Sequence, residues 1–144
     1  MPKKQFSEEE KQRLQLAIAN AENNTSGEIR VHIDAYCLFN PMRKAIRVFK
    51  RLNMHETEER NAVLIYVAMK NHKLAIVGDK GINARVPYGF WDDEKNLMIS
   101  HFKKGEYANG LEEGIRIVGE QLKTFFPYQE GDTNELSDEI SFGR

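Results

Sequence analysis

Two apolar runs separated by four polar residues occupy the middle of the chain. Residues 62–69 are continuously apolar, rich in β-branched and aromatic side chains, and too short for most helices. That predicts a strand covered on both faces. Lys70-Asn71-His72 has the length and polarity of a hairpin loop. A second apolar run, 74–77, follows, and Gly78-Asp79-Lys80-Gly81 stops it. The two strands are expected as antiparallel neighbours at the centre of a sheet. The reversal carries Asp79 back beside the start of the first strand, near Glu59, Arg60 and Asn61.

The flanking segments supply helices and one more long strand. Ser7-Glu8-Glu9-Glu10 has the capping-box pattern, and its three glutamates suit the positive end of a helix dipole. Leu14, Ala17, Ile18 and Ala21 recur at helical spacing, so a helix is expected over about 8 to 23. Residues 28–35 alternate, with Ile29, Val31, Ile33 and Ala35 on one face and Glu28, Arg30, His32 and Asp34 on the other. This predicts a strand with one buried face and His32 in a solvated or ion-paired row. Asn40-Pro41 opens a helix whose apolar stripe is Met42, Ile46, Phe49 and Leu52. The strand-helix-strand order makes strands 28–35 and 62–69 parallel through a right-handed crossover. Asp92-Asp93-Glu94 opens another helix carrying Trp91, Met98 and Phe102 on one face. The last helix begins at Glu106-Tyr107, repeats at Leu111, Ile115, Val118, Leu122 and Phe125, and stops at Pro127. Gly110, Gly114 and Gly119 are costly inside a helix, which points to close approach by another element.

One domain, residues 1–128, accommodates all of this, followed by an acidic, mobile tail at 129–144 that Ile140 and Phe142 can dock. The formal net charge of −1 provides no global field toward nucleic acid or an anionic membrane. No apolar stretch is long enough to span a bilayer, and the start of the chain has no apolar core of a secretory signal. The single cysteine, Cys37, excludes an internal disulfide and is expected to be buried and inert. These features fit a cytoplasmic protein.

Chemistry is expected at the rim where the parallel strands begin. Glu28 starts one strand, Asn61 precedes the other, and the hairpin returns Asp79 to the same place. The loop that follows leads to Asp92 and Asp93. Clustered carboxylates at Glu28, Asp79, Asp92 and Asp93 suit a hard divalent cation, calcium or magnesium. Zinc spacing, a P-loop, a dinucleotide fingerprint and a nucleophile elbow are all absent. Arg43, Lys44, Arg47, Lys50 and Arg51 crowd one short helix. They are either a solvated face or a dock for a protein or other anionic partner.

Four segments, in order, resemble the TPM-domain family, which includes a thylakoid-lumen phosphatase-like protein and many bacterial proteins of unknown role. They are Ser26-Gly27-Glu28-Ile29, residues 60–68, residues 73–82 and residues 102–111. The resemblance spans about 8 to 127. It implies an α/β/α sandwich, three layers around a small mixed central sheet with Rossmann-like topology. It also implies a calcium site lined by carboxylates and, in some relatives, weak acid phosphatase activity. Asp79, Asp92 and Glu106 match acidic places in the family pattern. Where the family often has Gly-Leu-Glu-Gly, this chain has Gly81-Ile82-Asn83-Ala84, an amide in place of the carboxylate. The expectation is a binding or accessory module that takes calcium or magnesium. The alternative is a metal-assisted phosphomonoesterase in which Asp79 attacks or activates water.

Overall fold

The computed structural model describes residues 6–128 and 139–143. Ser7 caps α1 (Glu8–Glu22), with its Oγ accepting from the Glu10 N–H and Glu10 Oε1 accepting from the Ser7 N–H, both at 3.0 Å. β1 (Glu28–Asp34) follows, then α2 (Pro41–Arg51), whose first amides at Met42 and Arg43 donate to the Asn40 side chain. β2 (Ala62–Ala68) is buried along its whole length, as its unbroken apolar run predicts. A turn through 70–72 leads to β3 (Lys73–Gly78). Next come α3 (Lys80–Asn83), α4 (Asp92–Lys103), α5 (Tyr107–Phe125) and a last short strand, β4 (Ser141–Phe142).

The sheet order is β3-β2-β1-β4. β1 and β2 are parallel, in register from Glu28↔Ala62 to Asp34↔Ala68, and β3 runs antiparallel to β2. The hairpin therefore forms, but not at the centre. The α2 crossover sets β1 on the far side of β2, and among the described residues no strand pairs with the outer edge of β3. β4 lies parallel to β1, with Ser141 opposite His32, so the sequence around Ile140 and Phe142 docks as a strand.

Alternation along the strands divides the core into two layers. Ile29, Val31, Ile33, Val63, Ile65 and Val67 pack toward α1, α4 and α5. Leu64, Tyr66, Ala68 and Ala75 pack toward Ala45, Val48 and Phe49 of α2. The result is helix, sheet, helix, a small α/β/α sandwich with a mixed sheet.

Two expectations change. The second face of β1 is buried rather than solvated at Glu28, His32 and Asp34, and Ser141 and Gly143 lie directly on the last two. In α2 the buried stripe is Ala45, Val48 and Phe49, leaving Met42 and Ile46 exposed. The helix turns Ala45 and Val48 onto the sheet, and Phe49 belongs to both stripes. Gly110, Gly114 and Gly119 do mark close contacts, with His101, Met98 and Ala21 respectively. The helices α4 and α1 approach there, not the sheet. Cys37 is buried, as expected.

Candidate functional site

The start of β1 and the end of β3 share one rim. Glu28 is level with Ala62, and the Asp79 N–H donates to the Ala62 carbonyl at 3.0 Å, so the three form one row across the sheet. Rows of this kind point to one face, with neighbouring strands about 4.8 Å apart, which separates the Glu28 and Asp79 backbones by about 10 Å. The rim is stitched together by Glu28 N–H to Asn61 O at 3.3 Å and Asn61 Nδ2 to Ser26 Oγ at 3.3 Å.

Asp79 is already engaged. Arg60 Nε donates to its Oδ2 at 2.7 Å and Arg60 Nη2 donates to Oδ1 at 2.9 Å. The Lys80 N–H also donates to Oδ1, at 2.8 Å, so Asp79 caps α3. The carboxylate in turn raises the Arg60 guanidinium above its usual range. Arg60 is aimed by its backbone, at φ +52°, and Gly81 lies against it, donating its N–H to the Arg60 carbonyl at 2.8 Å. A Cβ on Gly81 would lie 2.3 Å from the Glu59 carbonyl oxygen, a contact only glycine avoids. Asn83 donates Nδ2 to the Gly78 carbonyl at 3.0 Å. The amide that replaces the family's carboxylate thus closes this turn, a bond a carboxylate cannot donate.

The other acidic candidates are spread out. Phe90 packs on Phe125, which sets the start of α4 beside the end of α5. The Ser26 N–H donates to the Phe126 carbonyl, so that end of α5 is the Glu28 rim. Asp92 and Asp93 are therefore on the Glu28 side, both exposed. Asp92 borders a groove of about 510 Å³ with Met42, Ile76, Asn83, Trp91 and Lys95. Glu106 lies at the opposite rim. Tyr107 beside it contacts His72 of the hairpin, and Glu106 Oε1 is 2.8 Å from His101 Nδ1. The 19 residues of α5 put about 28 Å between the two rims. A cation binds oxygens at about 2.3–2.6 Å, so Glu106 cannot share one with Glu28. Among the described residues no three His, Cys, Asp or Glu side chains converge on one point. The five carboxylates do not form a single centre, and the Arg60 guanidinium opposes a cation at Asp79.

A second polar cluster lies at the hairpin rim on the same sheet face. His32 Nε2 is 2.9 Å from Asp34 Oδ1, and the Tyr66 hydroxyl donates to Asp34 Oδ2 at 2.7 Å. Lys44 approaches Oδ2 at 4.0 Å. A carboxylate only accepts, so His32 Nε2 carries a proton toward Asp34, and His32 Nδ1 lies 2.8 Å from Ser141 Oγ. His32 and Tyr66 are stacked, 5.9 Å between ring centroids. Burial pushes the Asp34 carboxyl up, but hydrogen bonds from His32 and Tyr66 hold it below its usual range. Burial and the bond to Asp34 push the Tyr66 phenol well up. Ser141, His32 and Asp34 have the connectivity of a hydrolase triad. At 1% and 2% exposure, His32 and Asp34 are sealed from any substrate, so the cluster is a lock between β1, β2 and β4. The alternating row of β1 names its members, but nothing in that row announces Ser141, 109 positions away.

The TPM domain family model matches residues 2–121. No curated protein matches the chain. The NMR structure of the BA42 protein from Bizionia argentinensis is 41% identical and superposes with a TM-score of 0.89, over 96% of this chain and 95% of that one. The N-terminal domain of a P. gingivalis protein superposes at 0.68 with 17% identity, over 87% of this chain and 82% of its own. That of the cg2496 protein from Corynebacterium glutamicum does so at 0.65 with 14% identity, over 82% and 74%. At such identities these two likenesses concern the fold alone. A fold shared with all three, and a family match over most of its length, lead to one conclusion: the chain belongs to the TPM-domain family.

Proposed function

We propose that this chain is a binding or accessory module that takes a divalent cation, calcium before magnesium, through Asp92 and Asp93 where α4 opens. One observation carries this: the two residues are consecutive at the start of α4, both are exposed, and among the described residues neither is held in an ion pair. Calcium tolerates an irregular shell of carboxylates, carbonyls and water, whereas magnesium demands a near-ideal octahedron. Two charges and an open site belong to the weak class, with a dissociation constant of about 0.1–1 mM. Glu28 and Asp79 shape the rim behind the site.

The phosphomonoesterase alternative has less support. It needs Asp79 as nucleophile or base, and both Asp79 oxygens already accept hydrogen bonds, two of them from a cation. A generic phosphatase assay with Asp79→Asn as control addresses it directly.

The cation proposal is tested by titrating calcium while following amide chemical shifts. Shifts should gather at residues 88–95 and disappear in Asp92→Asn/Asp93→Asn. A titration that moves nothing there, or moves only the surroundings of Glu106, rejects the assignment.

A further inference from the structure

α2 carries Arg43, Lys44, Arg47, Lys50 and Arg51 and no acidic residue. Lys44 is drawn toward Asp34, but among the described residues Arg43, Arg47, Lys50 and Arg51 are in no ion pair. Beside them stand apolar side chains that the core does not take up. Leu38 is 87% exposed, and Tyr36, Phe39, Met42 and Ile46 are between 41% and 53% exposed. Met42 and Ile46 are four residues apart, hence stacked on one line of the helix, with Arg43 and Arg47 on the line beside it. The two classes also touch. The Arg47 guanidinium lies 5.4 Å from the centre of the Phe39 ring, and Lys70 Nζ lies 5.6 Å from that of Tyr36. This is one continuous surface, running from the end of β1 along the outer shoulder of α2.

Its shape and charge together select a partner. Leu38 projects from a loop rather than lining a cleft, so it meets no preformed apolar wall on its own chain. Cations ringing projecting apolar side chains match the water-facing boundary of a bilayer, where headgroups take the charge and acyl chains take the wedge. We infer that the 36–51 surface docks on membranes containing anionic phospholipid, with Leu38, Phe39 and Met42 entering the boundary and Arg43, Arg47 and Lys50 meeting phosphate. An acidic protein that met the cations alone would leave Leu38 idle. The net charge of −1 does not oppose this, because the cations are gathered on one side and turn that side toward the lipid.

The full chain is spun down with vesicles of phosphatidylcholine alone, and of phosphatidylcholine mixed with phosphatidylserine, at low and high salt. Pelleting is expected with the anionic vesicles only, and should weaken as salt rises. Neutralising three cations, in Arg43→Gln/Arg47→Gln/Lys50→Gln, should reduce partitioning roughly a hundredfold. Leu38→Asp should reduce it roughly tenfold or more with every cation retained. The substituted side chains are exposed, and an unchanged amide spectrum verifies the fold. No pelleting with anionic vesicles overturns the proposal, as does equal pelleting on phosphatidylcholine alone. Binding untouched by Leu38→Asp and competed by soluble polyglutamate also overturns it, in favour of an acidic protein.

Discussion

The ionisation of buried Asp34 bears on the fold. Burial works against its charge, and the bonds from His32 and Tyr66 more than compensate, so its folded pKa lies below the unfolded one. The sign then follows. Asp34 contributes stability above about pH 4, and that contribution is lost as pH falls through the depressed folded value. Asp34→Asn should therefore flatten the acid limb of stability against pH, while costing about 1–3 kcal/mol near neutrality by leaving the Tyr66 and His32 donors poorly matched. Urea unfolding at a series of pH values measures both. Alternation along residues 28–35 placed His32 and Asp34 side by side, yet it described a wet face. Hydropathy cannot register a cover that is itself a serine and a glycine. At Asp79 the limit was different. The chain reversal located the residue, but only side-chain geometry reveals that Arg60 grips both oxygens.

Helices were legible in their existence and ends, and less so in their rotation. The repeat in α5 matched, since Leu111, Ile115, Val118 and Leu122 are all buried. In α2 two adjacent stripes were both plausible helix faces. Contact with Leu64, Tyr66 and Ala75 selected the one with Ala45 and Val48. Packing between α1 and α5 depends on a missing side chain. A Cβ on Gly119 would lie 2.6 Å from the Ala21 Cβ and 3.1 Å from its Cα. Gly119→Ala should accordingly destabilise by about 1–3 kcal/mol, because helix separation must grow, even though alanine is the better helix former. Gly114→Ala meets the flexible Met98 side chain instead and should cost less. The denaturation midpoints of the two variants, at unchanged slope, rank them.

At the scale of the molecule, sequence reasoning captured the parallel pair, the antiparallel return and the domain they build. It expected Glu28, Asp79, Asp92 and Asp93 at one rim, and the structure sets them on that side without converging them on one point, while Glu106, named by resemblance, lies about 28 Å away at the other rim. Order along a chain says which rim a loop reaches, not which side chains converge there. The acidic candidates were therefore only partly assembled. The β4 strand was hidden for a related reason, since two residues of pairing leave almost no periodicity. Ile140 is buried, and Ser141 and Gly143 close over the Asp34 lock. Truncation after Tyr128 should lower stability by at least about 2 kcal/mol, from the loss of Ile140 burial alone. It should also speed amide exchange along β1, which hydrogen exchange would record. The position of β4 has a temporal meaning as well. A ribosome makes β1 long before the strand that lies along its outer side, so the growing polypeptide carries a bare hydrogen-bonding edge until residue 142 emerges. Throughout that interval a neighbouring nascent chain can pair first with the stretch of β1 at His32 and Ile33 that β4 later covers.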